Sequence, residues 1–211
     1  MRIGIYGGSF NPVHAGHVGI ARRAVADLAL DRLIVVPAGV SPFKTGSTEP
    51  QMPWDRVELV NAAFRDIEKA EVDMREIERG GVSYTIDTVR GIAAENPGAE
   101  LFFIMGEDNV RGLSHWKDAV ELTSLCRFQA YPRTRESSSE IRRLFAEAGV
   151  TVNPDAKIAS AVRAGIVRKG GYCPCRIPKT PEFFCPCDEF KSQLADSSYH
   201  GPCHCRLYVK P

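Results

Sequence analysis

The chain opens on a short apolar run, Arg2 to Tyr6, that runs into Gly7-Gly8 and is followed by a helically spaced stretch from His17 to Leu30. In that stretch Val18, Ile20, Ala21, Ala24, Val25 and Leu28 recur at the interval of one helix face, whereas the opening run is continuously apolar, as in a strand covered on both sides. Strand, glycine turn and helix, in that order, leave few folds open. In an open sheet covered by helices, the turn after such a strand is where ligands gather, because loop N–H groups and the positive end of the helix converge on negative charge. Glycine there lets the backbone approach a phosphate closely.

The rest of the chain repeats the alternation. Leu33 to Pro37 (LIVVP) reads as a buried strand, Asp55 to Phe64 as an amphipathic helix and Val72 to Ile77 as a strand. Thr85 to Ala94 is expected to be a helix, Leu101 to Met105 (LFFIM) a buried strand, Trp116 to Leu122 a short helix and Phe128 to Tyr131 a further strand. Such alternation predicts an α/β fold with a mostly parallel sheet. Ser138 to Ala148 is expected to be helical with Gly149 as its stop. Asn153-Pro154-Asp155 then opens another helix, with Pro154 in the first turn and Ile158, Val162 and Ile166 along one stripe. The domain boundary is set near Gly149, giving 1–149 as the sheet domain and 150–211 as a small helical, cysteine-rich one.

Composition narrows the setting. Hydrophobic residues make up 44% and charged residues 25% of the 211, enough to bury a core, and the net charge of +1 offers no electrostatic case for nucleic acid or an anionic membrane surface as partner. The opening lacks the long apolar stretch of a signal peptide and no segment approaches ~20 apolar residues, so a cytoplasmic protein is expected. In a reducing compartment seven cysteines point to metal or redox chemistry. Cys126, among Leu125 and Phe128, reads as a buried core thiol, while the other six crowd into the final stretch.

The first turn carries Gly7-Gly8-Ser9-Phe10-Asn11-Pro12-Val13-His14-Ala15-Gly16-His17. Two imidazoles three residues apart fall on one side of a first helical turn, where both could donate to a polyphosphate; a glycine-rich turn with incidental histidines, or a zinc pair, are the other readings of a bare Gly/His cluster. The full string resembles the signature of the HxGH nucleotidyltransferase superfamily, and in particular the nicotinate mononucleotide adenylyltransferases, over residues 1–149. The resemblance implies a Rossmann-like parallel-sheet fold and adenylyl transfer from ATP, with Mg2+, to nicotinate mononucleotide. It implies that Gly7, Gly8, Ser9 and Phe10 line the nucleotide site and that His14 and His17 hold the ATP phosphates. Lys44, in Pro37 to Lys44, would meet phosphate. Thr85 would line the mononucleotide site, Asp108 would serve a ribose or the metal, and Trp116 would stack on the pyridine ring. Ser138, Ser139 and Arg142 resemble the family's second phosphate motif, although a capping box at an ordinary helix start would look partly similar. The Tyr131 to Ser138 interval is shorter than in the family pattern.

The six late cysteines form three pairs: Cys173-Pro174-Cys175, Cys185-Pro186-Cys187 and Cys203-His204-Cys205. Six thiols exceed the four that one tetrahedral metal or one cubane cluster needs, and spacing alone leaves a four-cysteine zinc knot open. The order CPC, CPC, CHC resembles the catalytic chain of ferredoxin:thioredoxin reductase. That resemblance implies a 4Fe-4S cluster on Cys173, Cys185, Cys187 and Cys203, a redox disulfide between Cys175 and Cys205, proton transfer by His204, and ferredoxin or a thioredoxin-like protein as partner; zinc is the alternative occupant. The sequence is thus read as an adenylyltransferase followed by a small iron-sulfur thiol-redox domain. Its alternatives are a thiol-disulfide oxidoreductase carrying a non-catalytic nucleotide-binding domain, and a zinc-stabilised interaction module.

Overall fold

The opening run forms β1 (Arg2–Gly8), and the chain then turns into α1 (Ala15–Asp27) and returns as β2 (Arg32–Pro37). This is seen in a computed structural model that describes residues 1–40, 42, 56–132 and 136–211. There follow α2 (Arg56–Phe64), β3 (Ala70–Val72), α3 (Arg75–Arg79), α4 (Thr85–Glu95) and β4 (Glu100–Gly106). A 3-10 helix (Glu107–His115) leads to α5 (Ala119–Leu125) and β5 (Arg127–Tyr131). The remainder is α6 (Ser138–Glu147), β6 (Thr151–Val152), α7 (Ala156–Arg168), α8 (Asp188–Ala195), β7 (Gly201–Pro202) and β8 (Tyr208–Lys210).

The chain divides into two compact units, one of residues 1–9, 18–47 and 67–134 and the other of 10–17, 48–66 and 135–211. This grouping cuts across a division at Gly149. The first unit is built on a parallel sheet of order β3-β2-β1-β4-β5, in which Ile5 lies beside Ile34 on one side and Phe103 on the other. Both neighbours of β1 are parallel to it, so helices cover both faces and the three central strands β2, β1 and β4 are apolar without alternation. Ile3, Ile5, Ile34, Phe103 and Met105 pack with Ile86, Val89 and Ile92 of α4. Each such side chain contributes roughly 1.5–3 kcal/mol by leaving water. Cys126 is buried in this core, its thiol donates to Leu122 O at 3.3 Å, and burial pushes its pKa up to about 11.

The second unit contains α2, α6, α7 and α8 and a small antiparallel sheet of order β6-β8-β7. An aromatic cluster centres it: Phe190 stacks on Tyr208 at 5.9 Å, and Phe145 meets both edge-on. Gly171 has φ +93, and a Cβ there would lie 2.5 Å from the Phe184 ring, so glycine alone suits this turn into the first cysteine pair.

Four local expectations are corrected. Val72 to Ile77 is not one strand: β3 ends at Val72, because the Asp73 carboxylate accepts from Arg75 N at 2.9 Å and turns the chain into α3. The Trp116 to Leu122 helix begins only at Ala119, after Asp118 adopts a left-handed φ of 53. Pro154 lies outside α7, whose cap is Asp155 accepting from Lys157 N and Ile158 N. The carboxyl-terminal part is not purely helical, since Thr151 pairs with Val209 and Gly201 with Lys210.

Candidate active site

In the sheet unit β1 and β4 are neighbours, and from them the strand order runs outward in opposite directions, which makes the crevice at their carboxyl ends the switch point of the fold. Gly7, Gly8 and Ser9 leave β1 there, and Gly106 ends β4. A Cβ on Gly106 would lie 2.5 Å from Asp108 Oδ1, so this glycine lets the exposed Asp108 carboxylate fold back over the strand end. Burial and then the Asp108 charge hold the Tyr6 hydroxyl protonated well above its ordinary range. Thr85 is the half-buried first residue of α4. Trp116 is partly buried, its ring edge-on to Phe103 at 5.6 Å and to Phe128 at 6.3 Å, so it belongs to the margin of the core as well as to the candidate site. Lys44 lies outside the described residues.

In the second unit, ring packing and backbone hydrogen bonds shape the loop that opens α1. Phe10 takes a left-handed φ of 45, which costs an ordinary residue about 1–2 kcal/mol, and its buried ring packs on Phe64 and His17. His17 N donates to His14 O at 3.0 Å, and His14 N donates to His17 Nδ1 at 3.2 Å. A neutral His17 therefore carries its proton on Nε2. The two rings lie 3.8 Å apart, so the imidazoles form one patch at the start of the helix.

The second motif meets this loop. Ser138 Oγ donates to Pro12 O at 2.8 Å, Arg142 Nη1 to Asn11 O at 2.5 Å, and Arg142 Nη2 to Ser139 Oγ at 3.2 Å. Arg142 is buried, and the Ser137 side chain makes no capping bond, so α6 uses its first turn to fasten the loop rather than to close a capping box.

Comparison with known proteins gives the family and the fold. The cytidylyltransferase-like family matches residues 5–168, more than half of the chain. The chain belongs to the cytidylyltransferase-like family. A relative from Albidiferax ferrireducens, named "Probable nicotinate-nucleotide adenylyltransferase", is 42% identical over 124 residues, 59% of this chain and 62% of that protein. One of the same name from Synechococcus sp. (strain JA-3-3Ab) is 33% identical over 189 residues, 87% of this chain and 91% of the relative. The chain thus spans 62% of the length of the first and nearly all of the second. The solved Plasmodium falciparum nicotinic acid mononucleotide adenylyltransferase complexed with NaAD shares the fold, with a TM-score of 0.51 at 15% identity, over 68% of this chain and 83% of that one.

Two residues of this cytidylyltransferase-like chain escaped the sequence reading. Glu136, two residues before α6, accepts from Gly16 N at 3.1 Å through Oε2, which also lies 3.6 Å from His14 Nδ1. Its Oε1 accepts from Lys191 Nζ of α8 at 2.7 Å. Burial works against the Lys191 charge, but Asp188 and Glu136 hold its pKa above the ordinary lysine range. In sequence Glu136 is a spacer residue, and Lys191 with Asp188 looks like any surface pair spaced i,i+3.

The six late thiols of this family member lie near one another in the second unit. Cys203 Sγ is 3.6 Å from Cys205 Sγ and accepts from Tyr208 N at 3.3 Å, and a thiol hydrogen bond also joins Cys205 to Cys173. These bonds favour thiolate at Cys173 and Cys203 and keep the proton on Cys205, while burial raises Cys185, Cys187 and Cys175. Exposed His204 adds to the lowering at Cys173. All are free thiols, and Cys205 is joined to Cys203 and Cys173 by thiol contacts. Among the described residues no group of three or more His, Cys, Asp or Glu side chains is disposed to hold a metal ion, and no helix is long and apolar enough to cross a membrane.

Proposed function

We propose that this chain transfers an adenylyl group from ATP to nicotinate mononucleotide, giving deamido-NAD and pyrophosphate. The observation that carries the reading is the meeting of the two motifs: α6, through Ser138 and Arg142, fastens the carbonyls of Asn11 and Pro12 in the loop whose His14 and His17 share one face. A mononucleotide phosphate oxygen attacks the α-phosphorus in line, the bond from that phosphorus to the bridging oxygen breaks, and pyrophosphate departs with the electron pair. No covalent enzyme intermediate is needed, so the protein contributes position and charge. His14 and His17 stabilise negative charge on the phosphates, aided by N–H groups at the start of α1. Gly7, Gly8, Ser9 and Phe10 shape the nucleotide approach, and Arg142 with Ser138 and Ser139 holds the loop. Thr85 and Trp116 are assigned to the mononucleotide and Asp108 to a ribose or the metal side. Lys44 is assigned to phosphate by resemblance alone. Mg2+ takes oxygen ligands chiefly from phosphates and water, which the single Asp108 carboxylate suits, and it would share the charge of the triphosphate. The names of the relatives support the same substrates. Pyrophosphate release with magnesium-ATP and nicotinate mononucleotide, compared with nicotinamide mononucleotide, tests the reading: turnover that His17→Ala abolishes supports it, and no turnover with either mononucleotide sinks it.

A second reading concerns the cysteine-rich end, where the division at Gly149 is kept as the limit of the two resemblances. By likeness to the ferredoxin:thioredoxin reductase catalytic chain, Cys173, Cys185, Cys187 and Cys203 would hold a 4Fe-4S cluster beside Cys175 and Cys205, with zinc as the other occupant. Five of these six thiols are buried in one cluster, an unusual density for a protein with no disulfide. Their arrangement as it stands does not fit a metal ion, and no electron-transfer step, ferredoxin or thioredoxin contact, or role for His204 is derived through one. Iron and acid-labile sulfide in anaerobically purified protein would support the cluster; zinc at one equivalent, or neither metal, would rule it out.

A further inference from the structure

The Glu136 carboxylate sits where the reading above needs a phosphate. Gly16 N belongs to the first turn of α1, where backbone N–H groups and the helix dipole favour an anion, and Glu136 Oε2 already takes that donor at 3.1 Å with His14 at 3.6 Å. A phosphate oxygen cannot use the same N–H while the carboxylate does. On its other side the carboxylate meets Lys191, whose side chain is only 15% exposed and whose one other acidic partner at bonding distance, among the described residues, is Asp188. Lys191 stands in the first turn of α8, its own N–H bonded to Cys187 O at 3.0 Å, so the cysteine-rich segment delivers this cation. Glu136 lies outside α6, so its side chain can swing without unwinding a helix.

We propose that Glu136 is a built-in stand-in for a nucleotide phosphate, and that Lys191 exchanges Glu136 for a phosphate when ATP binds. The proposal rests on the reading of His14 and His17 as phosphate ligands. It assigns Lys191 as a further binding residue supplied from outside the two recognised motifs. Leaving the carboxylate in place would set two anions against each other over one N–H, whereas the exchange keeps both the helix start and the ammonium paired throughout. The resting protein thus holds its cradle closed, and nucleotide must displace an internal competitor.

Calorimetric titration with magnesium-ATP and, separately, with inorganic triphosphate, without mononucleotide, tests this on the full chain. Glu136→Gln is expected to bind both ligands about tenfold or more tighter than the unmodified protein, because a like charge is removed from beside the phosphates. Adding Lys191→Met to it should return roughly that tenfold. Glu136→Asp keeps the charge but withdraws it by one methylene; should the amide variant melt early, it gives a smaller change of the same sign. Equal affinity of Glu136→Gln and the unmodified protein, with binding abolished by His17→Ala, would overturn the stand-in and leave the phosphate site intact. Binding of neither ligand to any form would remove the phosphate site itself, and the proposal with it. If Lys191→Met has no effect in the Glu136→Gln background, the exchange of partner is overturned.

Discussion

The parallel sheet and the α1 loop are held by different kinds of force. Around β1 the contacts are apolar, numerous and interchangeable: Ile5 between Ile34 and Phe103 is one of many buried side chains. Around the loop they are few and directional: two donors from α6, one carboxylate and one ammonium fix Asn11, Pro12 and Gly16. Area is cheap to specify and tolerant of error, while a directed bond to one carbonyl fails outright when its donor goes. Stability is therefore expected to follow the sheet, and competence to bind nucleotide to follow the loop.

The largest expected effect lies in the sheet. Phe103→Ala removes a ring that packs on Trp116 and Phe128 and should cost about 3–5 kcal/mol in urea unfolding. A loss below 1 kcal/mol would mean that the core does not rest on β4. Arg142→Ala comes next, at about 1.5–3 kcal/mol, because Asn11 O loses a charged donor in a buried setting. The contrast sharpens in function. Arg142→Ala is expected to lower kcat/KM for ATP far more than Phe103→Ala does in whatever fraction of each remains folded. Arg142→Lys should not restore it, because one ammonium cannot reach both Asn11 O and Ser139 Oγ along the guanidinium's fixed fork. Equal kinetic losses in the two variants would erase the distinction.

The same division governs what could be read in advance. Strands β1, β2 and β4 carry apolar runs whose burial follows from their lack of alternation, and the parallel order of the sheet followed from the helices between the strands. The glycines and histidines of the first loop were legible as a string because their types and spacing are tied to a helix start. Residues 72–77 misled because the Asp73 side chain turns the chain into α3 where a strand was expected to continue. Glu136 and Lys191 were invisible, since an ion pair across 55 residues leaves no periodic trace. The small sheet at the carboxyl end was missed because β6 and β7 have two residues each, too short to show alternation.

Gly171→Ala probes whether the second unit has any tolerance of its own. The left-handed φ alone should cost about 1–2 kcal/mol, and the Phe184 ring 2.5 Å from the new methyl must also move. The expected signature is a lowered melting temperature with increased reactivity of Cys173, whose N–H is bonded to Phe183 O in the adjoining turn. An unchanged melting temperature would show that this turn can rearrange as freely as the sheet core repacks.

The smallest effects separate the two units by the direction of their pH dependence. In the sheet unit burial pushes the Asp73 carboxyl up, but bonds from Arg75 more than reverse this, so its pKa falls below the ordinary value. A carboxylate with a depressed folded pKa stabilises fully above its unfolded value of about 3.9 and loses that contribution as pH falls through the folded value. In the second unit the Lys191 pKa is raised, so its contribution is complete below about 10.4 and is lost as pH rises through the folded value. Asp73→Asn should thus lower stability by about 0.5–1 kcal/mol at pH 6, with the difference shrinking below about pH 4, since the side chains of Asp73 and Arg75 are 20% and 22% exposed. Lys191→Met should instead show a difference that is flat from about pH 6 to 9 and shrinks in alkali. Melting curves of both variants from about pH 3 to 11 decide the matter: if the Lys191 difference persisted unchanged in alkali, the ammonium would not be what holds Glu136 over the start of α1.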